Sequence, residues 1–242
     1  MEEVKPYSDL DKSKKQQVTQ MFDSIAPKYD ALNHILSFGI DKLWRKKAVR
    51  IIKKHNPTKV LDVATGTGDF AFEMANSGIS TVIGSDLSTE MVQVAIQKAK
   101  KSENYKNVSF QIADAENLPF ENNTFDVVTV AFGVRNFENL KQGLSEMNRV
   151  LKSDGMAVII EFSKPQFFLF SAIYNLYFKY IVPFIGKIIS KDKKAYKYLF
   201  NSVDKFPYGK DFLNILQEVG FQNNKSISLS FGIANIYIAK KI

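Results

Sequence analysis

The sequence KVLDVATGTGD at residues 59–69 decides the fold. Its first half is a short apolar run interrupted only by Asp62, which is typical of a buried strand. A glycine turn follows, in which Gly66 and Gly68 can adopt positive φ and let a ligand approach the backbone. A helical pattern then begins at Phe70, and the start of a helix offers unpaired N–H donors. A strand, a glycine turn and a helix in this order predict a nucleotide-type binding turn.

The chain after residue 57 alternates between strand and helix patterns. Such repeated units predict an α/β fold, a doubly wound, Rossmann-like sheet of seven mostly parallel strands with helices on both faces. A helix at about 138–151 should end before a turn at 153–155, so that the fifth strand begins only at residue 156. The last two strands should form an antiparallel hairpin at the edge of the sheet. The strands are expected at about 58–64, 81–85, 108–113, 125–132, 156–162, 224–231 and 233–240.

The remaining parts of the chain surround this core. Residues 1–56 should form a helical cap, because Val18, Met21, Phe22 and Ile25 recur at helical spacing. Residues 163–206 break the strand–helix rhythm and carry many aromatic side chains, which predicts a helical lid insertion. Its aromatic part at 167–184, with lysines directly after it, suits either a contact with the lipid interface or ordinary packing on the sheet. The predicted division is therefore cap 1–56, ligand-binding core 57–162, aromatic lid 163–206 and C-terminal helix and hairpin 207–242.

Composition excludes several classes of site and partner. The 242 residues contain no cysteine, so disulfides, zinc–thiolate sites and cysteine nucleophiles are ruled out. A net charge of +8 can attract nucleic acid or an anionic membrane, but it can also serve solubility. The excess is mostly lysine spread over helix faces, without an arginine-rich stripe interleaved with aromatics. We therefore expect no nucleic-acid partner.

The sequence also points to a cellular setting. The first ten residues are polar and acidic, without the apolar core of a signal peptide. Apolar runs long enough for a transmembrane helix do not occur. The expected location is cytoplasmic, with peripheral contact at the inner face of the membrane as an option, and a homodimer as one option for the oligomeric state.

Two ligand classes compete for the glycine turn. Residues 66–71 fit the loose pattern G-x-G-x-x-G/A, and Asp86 stands 20 residues after Gly66 at the end of the second strand. A carboxylate there can accept from both ribose hydroxyls. On this pattern alone, a dinucleotide-dependent oxidoreductase and an S-adenosylmethionine (SAM) methyltransferase are close competitors.

Three further acids favour SAM. Asp62, four residues before Gly66, can meet the ammonium of an amino acid but would repel a pyrophosphate. Asp69, at the helix start, would likewise crowd a phosphate, although a helix N-terminal charge would explain it equally well. Asp114 follows the third strand, where it can accept from an adenine amino group. A cationic amino acid joined to adenosine is SAM.

Several further motifs are similar to those of one family. Residues 60–69 resemble motif I of class I SAM methyltransferases, which identifies only the superfamily. The combined set is specific, covers about residues 12–240, and resembles the ubiquinone/menaquinone-biosynthesis C-methyltransferases. The other motifs are YDALN at 29–33, LSFG at 36–39, DAENLPF at 114–120, AFGVRN at 131–136, EFSKP at 161–165 and YKYL at 196–199.

The resemblance implies an activity and a set of cofactor contacts. The implied reaction is the SAM-dependent methylation of demethylmenaquinol, with the ubiquinone-pathway benzoquinol or another small aromatic as the alternative substrate. Thr67, Asp86, Asp114 and Ala115 match the family's SAM-contacting positions. Ala131 departs from relatives that have serine there, so only a backbone contact to SAM is expected from it. Together with Asp62, Gly66 and Gly68, these residues make up the predicted cofactor site.

Arg135 and Asn136 are the predicted catalytic residues. They follow the fourth strand, at the edge of the sheet where a polyprenyl quinol substrate must lie. Arg135 can stabilise a developing phenolate or hold a water that takes the proton, and its alternative is an ion pair with a helix carboxylate. His34 as a base is disfavoured, because a single histidine in an apolar run is more often structural. The sequence predicts no metal site and leaves the base unassigned.

Overall fold

In the computed structural model, residues 4–7, 10–165 and 193–242 are described. The expected aromatic stretch and its membrane contact at 167–184 lie outside these residues. The helices are α1 (Lys14–Ile25), α2 (Tyr29–Leu36), α3 (Ile40–Lys53), α4 (Asp69–Asn76), α5 (Thr89–Lys100), α6 (Leu140–Val150), α7 (Lys193–Lys205) and α8 (Lys210–Glu218). The strands are β1 (Lys59–Val63), β2 (Thr81–Asp86), β3 (Val108–Ile112), β4 (Phe125–Ala131), β5 (Leu151–Phe162), β6 (Gln222–Leu229) and β7 (Ala234–Lys240).

The seven strands form one sheet in the order β3-β2-β1-β4-β5-β7-β6. The first five pair in parallel, and β7 runs antiparallel to both of its neighbours. This confirms the predicted doubly wound sheet with a C-terminal hairpin. Because β1 lies between β2 and β4, the strand order reverses beside it, and ligands in such sheets bind at the carboxyl ends next to that point.

Helices bury both faces of the sheet. On one face, α3 and α4 contribute Trp44, Ile52 and Met74 to a core with alternate residues of β1, β2, β4 and β5. On the other face, α6 and α8 contribute Leu144 and Phe212. Strands buried on both sides explain the nearly continuous apolar runs in the sequence.

The fifth strand begins earlier than its pattern predicts. It starts at Leu151, and the predicted turn at 153–155 lies inside it as a bulge. Pairing moves from Phe125–Leu151 to Val127–Met156, so the one residue between them on β4, Asp126, stands opposite four residues on β5. Asp154 takes φ +62, and its N–H donates to a carbonyl beyond β7. The turn-forming residues are therefore absorbed without breaking the strand.

The N-terminal helices lie close to the carboxyl edge of the sheet. Trp44 of α3 donates its indole N–H to the Ser230 hydroxyl at 2.9 Å, which joins the helix to the turn between β6 and β7. Its ring also lies 6.0 Å from that of Phe132 and 6.2 Å from that of Phe162, which follow or end β4 and β5. Among the described residues, no helix is long and apolar enough to cross a membrane.

Candidate cofactor and active site

The two glycines of the turn after β1 have different surroundings. Gly66 has φ +58, and a Cβ there would lie 3.7 Å from the Tyr29 ring, an ordinary contact. Gly68 has φ +88, and a Cβ there would approach Phe110 to 2.7 Å and Phe72 to 2.8 Å. Positive φ explains both glycines. Gly68 is in addition required for the packing of α4 against β3, which sequence reasoning did not foresee.

A cavity lies at the carboxyl ends of β1, β2, β3 and β4, between the sheet and the N-terminal helices. Helix α1 contributes Lys15 and Phe22 to its wall, and α2 contributes Tyr29. The cap predicted from residues 1–56 thus supplies part of the cavity itself. From the core, the lining includes six of the residues predicted for the site, namely Gly66, Asp86, Asp114, Ala115, Ala131 and Asn136.

Asp86 is held rigidly at the end of β2. One carboxylate oxygen accepts from the backbone N–H of Gly66 at 2.8 Å, and the other from that of Ser88 at 2.9 Å. Burial raises the pKa of Asp86 above its usual range, although these backbone hydrogen bonds oppose the shift. Each oxygen keeps a further lone pair. A diol can therefore bind here without displacing the glycine turn.

Asp114 is already partnered by the cap. Its Oδ2 lies 2.8 Å from Nζ of Lys15, and its Oδ1 accepts from the backbone N–H of Glu116. Lys15 also lies 3.0 Å from Glu116. An adenine amino group would share Asp114 with this lysine, so helix α1 and the adenine would be joined through one carboxylate.

Asp62 lies beneath the turn and is not among the residues that line the cavity. It is 1% exposed, and its two oxygens accept from the hydroxyls of Thr65 and Thr129, both at 2.6 Å. Burial raises the pKa of Asp62 to about 6, against the effect of these hydrogen bonds. The expected direct contact with a ligand ammonium is not what this geometry provides. Because Asp62 bridges β4 and the residue before Gly66, it holds the turn in shape.

Thr67 is turned toward the cap. It is 2% exposed, and its hydroxyl donates to Asp30 of α2. The other oxygen of Asp30 lies 2.9 Å from Lys98 of α5. Thr67 was predicted to contact the cofactor through the family resemblance, but here its hydroxyl connects the glycine turn to the helix above it.

The charge of Asp69 is neutralised by its neighbours. Lys98 lies 2.6 Å from one carboxylate oxygen, and Arg45 lies 3.4 Å from the other. Burial alone would raise the pKa of Asp69, but Lys98 and Arg45 outweigh it and hold the pKa below its usual range. The sequence argument that Asp69 repels a phosphate therefore loses force, since a compensated carboxylate repels weakly.

The described residues contain one group with metal-ligand side chains, formed by His34, Asp41 and Asp69. Their ligand atoms lie within 4.8 Å of one another. Arg45 donates to Asp41 at 2.6 Å and also approaches Asp69, so a guanidinium already supplies positive charge to this group. Nδ1 of His34 forms a hydrogen bond with Asp41 at 3.0 Å, and its Nε2 lies 3.4 Å from Asp69. The cluster ties α2 and α3 to the start of α4.

Arg135 is buried behind the cavity wall. Its Nη1 donates to Glu161 at 2.7 Å and to the carbonyl of Phe132 at 2.6 Å. Both side chains of the ion pair are almost fully buried, and Nε of Arg135 has no hydrogen-bond partner. Burial raises the pKa of Glu161, and Arg135 opposes that shift. The carboxylate partner of Arg135 lies on strand β5, whereas the ion pair considered from the sequence has its carboxylate on a helix.

Asn136 is among the residues that line the cavity. Its Oδ1 accepts from the hydroxyl of Tyr198 of α7 at 3.1 Å, and its amide lies 3.5 Å from the carbonyl of Phe132. Tyr198 is 2% exposed, and burial raises its pKa, so the hydroxyl keeps its proton as donor. Of the two predicted catalytic residues, Asn136 lines the cavity and Arg135 supports it from behind.

The cavity has an acidic lining that suits a cationic ligand. The lining contains four acidic residues, Asp86, Asp114, Glu116 and Glu138, and one basic residue, Lys15. A pyrophosphate would meet unfavourable charge here, whereas a sulfonium or ammonium group would be stabilised. With a diol acceptor at the end of β2 and an acceptor at the end of β3, these residues fit SAM.

Four residues of the site were not found from the sequence. Lys15, Glu116 and Glu138 form the acidic rim and its counter-charge, and Tyr198 orients Asn136. Glu116 and Tyr198 stand within motifs that carry the family resemblance, and this was the only signal available. Lys15 meets Asp114 across 99 residues of sequence, which no local pattern reports.

Comparison with known proteins identifies the relatives of this chain. The chain is 46% identical to the demethylmenaquinone methyltransferase of Bacteroides fragilis (strain YCH46) over 241 residues, 99% of this chain and 98% of the relative. It is also 46% identical to the ubiquinone/menaquinone biosynthesis C-methyltransferase UbiE of Geotalea uraniireducens (strain Rf4), covering 94% of this chain and 97% of the relative.

Solved structures share the fold at low sequence identity. A SAM-dependent methyltransferase from Thermotoga maritima superimposes with a TM-score of 0.66 at 17% identity, covering 92% of this chain and 99% of that one. The model of the ubiE/COQ5 methyltransferase family matches residues 10–241, which includes the cap, the core and the C-terminal hairpin. The match extends over almost the whole chain, and the chain belongs to the ubiE/COQ5 methyltransferase family.

Proposed function

We propose that this protein is a SAM-dependent C-methyltransferase that converts demethylmenaquinol to menaquinol. Two observations support the proposal together. The relative from Bacteroides fragilis carries the name of this activity and is aligned over 99% of the chain. The acidic cavity at the carboxyl edge of the sheet is the observation that carries it, since it suits a cationic cosubstrate and disfavours the dinucleotide alternative.

SAM binds in this proposal across the glycine turn between β1 and α4. Asp86 accepts from the ribose hydroxyls while its hydrogen bond to Gly66 holds the turn. Asp114 accepts from the adenine amino group and remains bonded to Lys15, which places α1 over the adenosine. Asp62, through Thr65, keeps the turn in the conformation that leaves its backbone exposed to the ligand.

The reaction requires a nucleophilic ring carbon beside the methyl group. When bound, SAM supplies an electrophilic methyl group on a sulfonium sulfur and leaves as a neutral thioether. The quinol carbon next to a hydroxyl forms the new C–C bond, more readily once that hydroxyl has lost its proton. The methylated carbon then loses its own proton, so the aromatic ring is restored and one proton is released per turnover. The protein contributes orientation and exclusion of water.

Asn136 is the residue that we propose to contact the quinol. Asn136 lines the cavity, and hydrogen bonds to Tyr198 and to the carbonyl of Phe132 limit the rotation of its amide group. An amide fixed in this way can donate to a quinol oxygen as negative charge develops there. Arg135 is a positioning residue in this scheme, because its ion pair with Glu161 fixes the segment that carries Asn136.

The benzoquinol of the ubiquinone pathway is the second candidate substrate. It is favoured by the relative from Geotalea uraniireducens, whose name covers both ubiquinone and menaquinone biosynthesis. Both substrates are polyprenyl quinols with a free ring position beside a hydroxyl. Demethylmenaquinol has two fused rings and the benzoquinol has one. The width of the cavity beside Asn136 would therefore decide between the two substrates.

The expected setting follows from the substrate. A polyprenyl tail partitions into the bilayer, so we propose a cytoplasmic enzyme that contacts the inner face of the membrane peripherally. The aromatic stretch at 167–184 is the segment that the sequence suggests for that contact. A homodimer remains part of the proposal as one oligomeric state, to be checked by light scattering.

The direct test is a methyl-transfer assay with the purified protein. Reduced demethylmenaquinone and the ubiquinone-pathway benzoquinol are supplied separately with SAM, and the products are identified by mass spectrometry. We expect methylated naphthoquinol, and a much weaker product in Asp86→Ala, because the ribose loses its acceptor. Binding of NAD(P) in calorimetry without binding of SAM would overturn the proposal, as would an unchanged quinone pool in cells lacking the protein.

A further inference from the structure

Apolar side chains are exposed at one corner of the molecule. This apolar corner consists of Ile35, Phe38, Ile40 and Leu43 at the junction of α2 and α3, with Phe231 of the turn after β6. Phe38 is 75% exposed, and Leu43 and Phe231 are each 64% exposed. The hydrogen bond from Trp44 to Ser230 brings the turn to the first part of α3. Exposed apolar groups in one place mark an interaction site more often than single ones do.

Helix α3 continues this corner as a line of positive charge. Leu43, Lys47, Arg50 and Lys54 recur at spacings of four, three and four residues, so they share one side of the helix. The opposite side is buried in the core, with Trp44, Ala48 and Ile52. We call the five exposed cations of this side the cationic stripe, formed by Lys46, Lys47, Arg50, Lys53 and Lys54.

The cationic stripe has no counter-charge of its own. The single acidic residue of α3 is Asp41, which is buried and bonded to Arg45. Within the described part of the chain, none of the five cations forms an ion pair. A solubility surface usually mixes both signs of charge, whereas one sign along a whole helix face creates a directed field.

The apolar corner lies at the same edge of the sheet as the cavity. Strand β6 pairs antiparallel with β7, and β7 pairs antiparallel with β5, so β6 points in the same direction as the parallel strands. The turn that carries Phe231 is therefore at the carboxyl edge of the sheet. Trp44 comes directly after Leu43 and packs against Phe132, which is one of the residues that line the cavity. Helix α3 therefore carries the exposed Leu43 and, at the next residue, a ring that contacts the cavity wall.

We infer that the apolar corner and the cationic stripe form one docking surface for an anionic lipid bilayer. The apolar side chains enter the acyl boundary, and the stripe binds acidic headgroups, as in helices that lie at lipid interfaces. Exposed aliphatic side chains have no partner on a phosphodiester backbone, so nucleic acid is the weaker occupant. The inference rests on the proposed function in one respect: docking at this corner holds the edge of the sheet that carries the cavity close to the bilayer, where a polyprenyl quinol is found.

Vesicle sedimentation with the full chain tests the surface. Wild-type protein should bind vesicles of phosphatidylglycerol and phosphatidylcholine, and it should bind pure phosphatidylcholine weakly. The triple variant Lys47→Glu, Arg50→Glu, Lys54→Glu should lower the partition coefficient by about a hundredfold. Leu43→Ser should also lower it. The matched control reverses three exposed lysines elsewhere, Lys100→Glu, Lys101→Glu and Lys225→Glu, with the same change in net charge.

Each outcome bears directly on the inference. Equal vesicle binding by the stripe variant and the control variant would overturn it, as would absent binding of anionic vesicles by the wild type. Binding of a short RNA through the stripe, without vesicle binding, would assign the surface to nucleic acid and overturn it as well. Circular dichroism of the variants checks that they are folded.

A second measurement distinguishes a failure of the docking surface from a failure of the proposed function. A demethylmenaquinol analogue without a tail is assayed in solution, and the long-chain quinol is assayed in vesicles. Loss of turnover in the stripe variant only for the vesicle-borne quinol supports docking. If neither quinol is methylated by the wild type, the proposed function fails, but the vesicle-binding comparison still decides the docking surface.

Discussion

Arg135 and Glu161 form a buried ion pair with 2.7 Å between Nη1 and Oε1, directly behind the cavity residue Asn136. The pair joins the turn after β4 to the end of β5, the two strand ends nearest the proposed quinol. Arg135 also donates to the carbonyl of Phe132, the same carbonyl that the amide of Asn136 approaches. The geometry of the ion pair therefore supports a positioning role for Arg135 at the end of β4. It leaves direct contact with the quinol to Asn136.

Removing one partner of this pair should destabilise the protein strongly. In Glu161→Ala the guanidinium of Arg135 remains buried without a counter-charge, which costs about 3–5 kcal/mol in other proteins. Urea denaturation measures the loss. The apolar double variant Arg135→Met, Glu161→Leu should recover most of the stability but not the turnover. Recovery of both quantities would mean that the ion pair serves neither orientation nor chemistry.

Tyr198→Phe should slow methyl transfer and leave SAM binding unchanged. The substitution removes the hydrogen bond to Oδ1 of Asn136, so the amide can rotate away from the quinol. We expect turnover to fall by about tenfold, which corresponds to one lost neutral hydrogen bond. Tyr105→Phe is the matched control, since its hydroxyl contacts the exposed Asn76. A changed dissociation constant for SAM would place Tyr198 in the cofactor site instead.

The ion pair of Lys15 with Asp114 should affect the affinity for SAM. Both side chains are about one-third exposed, so the pair contributes up to about 1 kcal/mol. Lys15→Met should therefore raise the dissociation constant by up to about fivefold in calorimetry, because α1 loses its attachment over the adenosine. Lys12→Met is the control, as the ammonium group of Lys12 donates to the side chain of the exposed Gln20 in α1. Tighter binding in Lys15→Met would show instead that the lysine competes with adenine for Asp114.

The stability of the ligand-free protein should carry a contribution from Asp62 that depends on pH. Burial raises the pKa of this carboxyl from 3.8 to about 6 in the folded state. The folded state therefore binds the proton more tightly, and this contribution is present below about pH 4 and lost as the pH rises through about 6. Asp62→Asn should remove that dependence, so the difference in the free energy of unfolding between variant and wild type should change by roughly 2–3 kcal/mol, in favour of the variant, between pH 4 and pH 8.

The measurement is the free energy of unfolding of both proteins between pH 4 and pH 8. Only the difference between them is interpreted, because Asp86 and Glu161 also have raised pKa values. A difference that does not vary with pH would mean that Asp62 keeps its ordinary pKa under the turn.

Alanine substitutions should separate the two roles of glycine near the turn. Gly68→Ala brings a Cβ within 3 Å of Phe110 and Phe72, and it also forces an alanine to adopt a φ of +88. Gly78→Ala has φ +92 and no neighbouring atom within 4 Å, so it reports the backbone strain alone. We expect about 1 kcal/mol for Gly78→Ala and about 1–3 kcal/mol more for Gly68→Ala. Equal losses in thermal denaturation would reject steric packing as the reason for Gly68.

The sequence alone was sufficient for the architecture and for the chemical class of the ligand. Alternating apolar runs, the glycine turn and acids at three strand ends follow from local periodicity, and parallel strands must present their carboxyl ends at one edge. For this reason the sequence predicts Asp86, Asp114 and Asn136 at that edge, whereas Ala115 and Ala131 are predicted through the family resemblance. The start of β5 could not be predicted, because the bulge that absorbs residues 153–155 depends on pairing with β4 and β7.

Tertiary structure alone decided which of the named side chains reach the cavity. Asp62, Thr67 and Arg135 have the residue types and positions of ligand contacts, but each is bonded to a partner on a different element: Thr129, Asp30 and Glu161. Sequence spacing fixes the end of a strand at which a residue stands. It does not fix the direction of its side chain, since buried polar groups turn toward whichever distant donor or acceptor satisfies them.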